Sequence, residues 1–231
     1  MLGSADYAIW LLAASCEACV VVCVFSTRSA RRYLPIVFHM LGEFLATIGR
    51  FVIFRRYGYT SHEYFYFYYY SDALVVICLY FVLIGLFAQV FEEMKVSQYL
   101  RVAALLLLCG TAWITYSIVA DSRGRLLTHF VVELSQNLYF VGVVLTYLLW
   151  GAVVKLQETR TRLVQLVLSL GVYFSAFAVT YALRNLYPGF SLWQYTPPLL
   201  GIALPAAWAY TFLKVPEGAR LATAQVAAPG R

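Results

Sequence analysis

Charge is what this sequence lacks. Only 12% of its 231 residues are Asp, Glu, Lys or Arg, against about 25% in a soluble domain. The apolar share is 62%, and a core of this size has no room for that much hydrocarbon. Lipid must therefore replace water as the surrounding medium. That excludes a soluble enzyme, a disordered chain, a collagen-like chain and a disulfide scaffold. No cysteine falls in a polar connection: Cys16, Cys19, Cys23, Cys78 and Cys109 all lie within apolar runs, so disulfides between outer loops are ruled out. No basic residue precedes the first run, which speaks against a cleaved secretory signal. A Ser/His/Asp grouping, a metal-ligand motif and a Gly-rich phosphate loop are also missing. The balance falls against an enzyme.

What is present is a series of seven apolar runs: Tyr7–Phe25, Leu34–Phe54, Tyr68–Phe91, Leu100–Ala120, Leu126–Val154, Leu163–Leu186 and Leu192–Leu213. About 20 residues of helix cross ~30 Å of hydrocarbon, and a closed helix satisfies its backbone without water. The expected fold is all-α, a seven-transmembrane-helix bundle in one domain over residues 1–214. A short disordered cytoplasmic tail, 215–231, would follow it.

The net charge of +6 sits between the runs, where it sets topology and gives no reason to expect nucleic acid. One set of connections and ends holds Arg28, Arg31, Arg32, Lys95, Arg101, Lys155, Arg160, Arg162, Lys214, Arg220 and Arg231. The opposite set holds Arg50, Arg55, Arg56, Arg123, Arg125 and Arg184. The excess of basic residues marks the cytoplasmic side. The N-terminus is therefore expected outside and the C-terminus in the cytoplasm.

Ionisable residues inside spans cost roughly 2.5–3.5 kcal/mol each on insertion scales and mark candidate sites. Helix 1 carries Glu17. Helix 2 carries His39, Glu43, Thr47 and Arg50, and Asp72 lies early in helix 3. Helix 5 carries His129, Glu133, Gln136 and Asn137, and helix 6 ends at Arg184. At ~100° per residue, His39, Glu43 and Arg50 share one face, and His129, Glu133 and Gln136 share another. The candidate polar cluster is Glu17, Glu43, Arg50, Asp72, His129, Glu133, Asn137 and Arg184, with Arg50–Asp72 as the first-choice ion pair. Two readings stay open: glue that fixes how the helices dock, or a ligand pocket or proton path open to the outside.

Outside this cluster, nine of the fourteen residues Tyr57–Tyr70 are aromatic. Tyr64, Tyr66, Tyr68, Tyr69 and Tyr70 are expected to form an outer aromatic rim. Such a rim acts as an interfacial belt or as a wall for an apolar or cationic ligand. No cofactor or metal is expected. His39 and His129 come out on the order of 20 Å apart by helical rise, too far for one haem or one metal. Lys214 lies at the end of helix 7, not in its middle, so retinal is not expected either.

The stretch Tyr64-Phe-Tyr-Phe-Tyr-Tyr-Tyr-Ser71-Asp72-Ala73-Leu74, the apolar helix ending Glu92-Glu93 and the seven-span length resemble a group of bacterial proteins. These are seven-span inner-membrane proteins of unknown function, abundant in acidobacterial genomes; many carry tryptophan where this chain has Tyr69. The resemblance implies a multi-pass protein of the bacterial inner (cytoplasmic) membrane and adds no chemistry. The expected role is a sensing module or an accessory subunit of a membrane complex, in contact with the lipid bilayer and with a membrane-protein or cytoplasmic partner. The alternative is an intramembrane enzyme or proton-coupled carrier using the buried acids.

Overall fold

A computed structural model describes residues 4–27, 29–58, 60–92, 97–120, 126–187, 189 and 196–220. Of the positions in the charge count, Arg28, Lys95, Arg123, Arg125 and Arg231 lie outside these, as does the side chain of Arg101. Seven helices are described: α1 (Ser4–Ser26), α2 (Leu34–Tyr57), α3 (His62–Val90), α4 (Ser97–Ala120), α5 (Leu126–Lys155), α6 (Thr161–Leu186) and α7 (Thr196–Lys214).

One boundary differs clearly from the sequence reading. Helix α3 begins six residues before Tyr68, so Tyr64 to Tyr70 lie within its first turns. Gly58 turns the chain at φ +85°, a conformation that costs glycine nothing. Ser61 then caps the helix, accepting the Tyr64 amide at 3.1 Å while its hydroxyl donates to the Gly58 carbonyl at 3.0 Å.

Six helices close a ring in the order α1, α2, α3, α5, α6, α7, each packed on the next, while α4 lies outside against α5 and α3. Fully buried Leu79, Leu83, Leu138, Leu166, Phe174 and Trp208 fill the ring. Apolar residues also cover the outside: Leu11, Leu106, Trp113, Tyr147 and Val154 are each more than 60% exposed. Large apolar surface on all sides is costly in water and costless in lipid. By length and composition α1, α2, α3, α5 and α6 could each cross a membrane. The uninterrupted apolar part of α4 is shorter, Leu105–Ser117, and α7 carries three prolines in 19 residues. The architecture is thus an apolar helical bundle compatible with a membrane protein.

Close approach within the ring depends on glycine. The Phe67 ring of α3 lies over Gly49 of α2, and the Phe174 ring of α6 lies over Gly142 of α5. In both places an added Cβ would collide with the ring.

At one end the helices are tied by a salt-bridged clasp. Arg32 reaches Glu92 at 3.4 Å and Glu217 at 3.3 Å, and Arg160 reaches Glu92 at 3.3 Å. Arg162, 3% exposed, donates through Nε and Nη2 to the Val215 carbonyl just past α7 and stacks on the Phe212 ring. Arg160 and Arg220 form an antiparallel bridge, in which the Thr161 amide donates to the Ala219 carbonyl. Residues 215–220 are therefore docked, where the sequence suggested a disordered tail from Val215; residues 221–231 lie outside the described residues.

Within the clasp, the hydrogen bonds from Arg160 hold the Glu158 carboxyl below the usual carboxylate range, and Glu158 in turn raises Arg160. A depressed carboxyl contributes stability above its unfolded value, near 4.3, and loses it as pH falls through the folded value. Thermal unfolding in mild detergent is thus expected to shift downward as pH drops below about 4. Arg160→Gln should flatten that part of the profile; an unchanged profile would place the linkage elsewhere. Gly142→Leu is expected to cost about 1–3 kcal/mol through overpacking against Phe174. Gly201→Ala, where nothing lies within 4 Å of the new Cβ, should leave the melting temperature nearly unchanged.

Candidate functional site: a polar sector inside the bundle

Helix α2 supplies the spine of the site. His39, Glu43, Thr47 and Arg50 recur every three or four residues and so project within ~80° of one another into the ring. On the α1 side, the Thr47 hydroxyl donates to Glu17 Oε1 at 3.1 Å. On the α3 side, Arg50 Nε donates to Ser71 Oγ at 2.9 Å, its Nη2 lies 4.0 Å from Asp72 Oδ1, and its guanidinium sits 4.6 Å above the Tyr68 ring. From α5, Ser135 approaches Asp72, while its hydroxyl donates to the Val132 carbonyl at 3.0 Å. Glu43 lies within electrostatic reach of Glu17, Arg50 and Asp72. Its Oε2 is 3.9 Å from His39 Nε2, and the imidazole meets Trp208 of α7 edge-on at 6.0 Å.

Four of the eight polar residues picked out from the sequence, Glu17, Glu43, Arg50 and Asp72, are brought together here. The other four are not among these contacts. Asn137 donates to Thr115 Oγ1 at 3.0 Å and so links α5 to peripheral α4. His129 and Arg184 are exposed near helix ends, and Glu133 is half-buried. The reason is angular. Ser135 lies ~200° around α5 from Glu133, so the face carrying His129, Glu133 and Asn137 turns toward α4 while Ser135 and Tyr139 turn toward the sector.

The rim divides in the same way. Tyr64 and Tyr68, one turn apart, point inward: Tyr64 is buried against Phe54 at 6.0 Å and Tyr68 underlies Arg50. Tyr66 packs between His62 and Tyr70, and Tyr69 lies on Phe65 at 4.5 Å. Tyr70 is exposed.

Sequence reasoning missed the neutral lining. Tyr139 and Tyr173, with ring centroids 6.3 Å apart, stand between α5 and α6 and face both Glu43 and Asp72. Tyr139 also stacks on Phe177 at 4.6 Å. Their signal was spacing: Ser135 and Tyr139 are one turn apart in α5, as are Tyr173 and Phe177 in α6, but uncharged residues in an apolar run do not stand out.

Three carboxyls thus share one guanidinium, and that guanidinium is committed to α3. Glu17 Oε2, His39 Nδ1, Arg50 Nη2 and the Tyr80 hydroxyl are buried without a hydrogen-bond partner. A groove of about 390 Å³ runs between α5 and α6, lined by Thr146, Trp150, Gly171 and Ser175 among others, but no residue of the sector borders it. Among the described residues, no three His, Cys, Asp or Glu side chains converge as metal ligands would. No family model, curated protein or solved structure matches this chain.

A double-mutant cycle on Arg50→Gln and Asp72→Asn, read by thermal unfolding in detergent, is expected to give a coupling on the order of 1 kcal/mol. Additive effects would show that Arg50 is held by Ser71 and Tyr68 alone.

Proposed function

We propose that this chain is a seven-span protein of the bacterial inner membrane, with its N-terminus outside and its C-terminus in the cytoplasm. It works there as a non-enzymatic sensing module. The carrying observation is a buried polar sector on α1, α2 and α3 that lies directly beneath the aromatic first turns of α3. No Ser/His/Asp grouping or metal cluster accompanies it among the described residues. A ligand arriving from the outer side would meet Tyr64 and Tyr68 first, then Arg50 and Asp72. Movement of α2 or α3 there reaches the opposite end through Arg32, Gln89 and Glu92, which belong to the clasp. A partner subunit or cytoplasmic protein reading the clasp would complete the pathway. The surplus of carboxyls over cations supports one second reading, a proton-coupled carrier.

Orientation is tested by single cysteines in a background freed of the native five. Leu186→Cys, at the rim end of α6, is expected to react with an impermeant maleimide in intact cells. Gln157→Cys, at the clasp end, should react only after permeabilisation, and the reverse pattern would overturn the orientation. Purification in mild detergent addresses the role. A module should retain a second protein in fixed ratio; a chain that purifies alone counts against it.

A further inference from the structure

Arg50 cannot neutralise the whole interior. Its Nε is taken by Ser71, its Nη2 faces Asp72 and its π-facing side rests on Tyr68, all three on α3. Glu17 and Glu43 are left with no cation of their own. Glu17 is 2% exposed; one carboxyl oxygen accepts from Thr47, and the other is buried without a partner. An uncompensated carboxylate in such a place is costly enough that something must cancel its charge. A metal ion is a poor occupant, since it needs several oxygens around it and no three acidic, His or Cys side chains converge among the described residues. A proton needs one oxygen.

We propose that Glu17, on the face α1 turns to α2, is a proton-binding site loaded from the aromatic end of the bundle, and that the proton is the ligand this module senses. The inference rests on the sensing role proposed above and names its ligand. On loading, a hydronium at the rim gives up its proton, an O–H bond forms on the free Glu17 oxygen, and water is left behind. The net charge of the sector becomes one unit less negative.

The groups facing the site fit this use. From α2 they are Glu43 and Arg50, and from α1 itself Cys16. Beyond Glu43 stand Asp72 and Cys78 of α3, Tyr139 of α5 and Tyr173 of α6. Helix α7 presents only Tyr210 and Lys214 as titratable side chains, both exposed. Exposure also gives the direction of entry. Asp72, Glu43 and Arg50 keep 18%, 16% and 14% of their side-chain surface, whereas His39, one turn further in, keeps 1%. On the clasp side of His39 the ring is filled by buried Ile36, Leu83, Leu86 and Phe212.

Infrared difference spectra of the full chain in lipid nanodiscs, between mildly acidic and mildly alkaline buffer, test the site. A protonated-carboxyl C=O band is expected in acid and lost in alkali. It should shift when glutamate is carbon-13 labelled and disappear in Glu17→Gln, but survive in Glu217→Gln at the clasp. The label is read on the unaltered protein, so the test stands even if Glu17→Gln does not fold. A band that ignores the glutamate label, or that persists in folded Glu17→Gln, overturns the proposal. So does loss of the acid band on adding sodium at constant pH. Because the spectra need no knowledge of topology or partners, the proton site fails or stands separately from the module reading.

Discussion

The guanidinium of Arg50 decides how α2 sits on α3. A cation inside an apolar bundle must find its partners on neighbouring helices, because lipid offers none. Arg50 finds all of them on one turn of α3: the Ser71 hydroxyl, the Asp72 carboxylate and the face of the Tyr68 ring. The residue before it, Gly49, is where the Phe67 ring of the same helix turn lies flush on the backbone. Shape and charge thus lock the same two turns together. Sliding α2 by one residue would lose both at once, and the positions of Glu43, Thr47 and His39 follow from that register.

The two ends of the charge inventory are handled in opposite ways. At the clasp, Arg32, Arg160 and Arg162 face Glu92, Glu158 and Glu217, with side-chain exposures from 4% to 65%, and are cross-linked through more than one contact. Pairs of that kind hold connections and contribute little individually. Inside the ring the count is unequal and the environment dry, so each group there is energetically expensive and electrostatically responsive. The clasp is built to stay put, the interior to respond.

Most of the fold was legible from hydropathy, because long uniform apolar runs broken by charge leave few alternatives to helices. The start of α3 was not, since nine aromatics in fourteen residues read as an interfacial belt. The Gly58 turn and the Ser61 cap were nonetheless written in the sequence. On α2 the polar stripe was readable because formal charges recur at helical spacing. On α5 the same rule selected the wrong face: His129 and Glu133 are conspicuous, while Ser135 and Tyr139, which reach the sector, carry no charge. The clasp was beyond sequence reading. Ser29 and Glu217, which hydrogen-bond at 2.8 Å, are 188 positions apart, and no local pattern encodes their meeting.

Helix α4, set outside the ring, has a consequence for chain geometry. Neighbouring helices joined by a short connection must run in opposite directions, yet α3 and α5 lie side by side. Asp72 is the eleventh residue of α3 and Ser135 the tenth of α5, and they face each other at the same level, as Arg160 just past α5 meets the Gln89 carbonyl at the end of α3 at 2.8 Å, because both helices start from the same end. Parallel neighbours require a return stroke, and α4 is that stroke. It carries the polypeptide back across so that the second helix can descend in step with the first. To the polar sector it contributes alignment, while Leu108 and Ala112 pack on the core from outside.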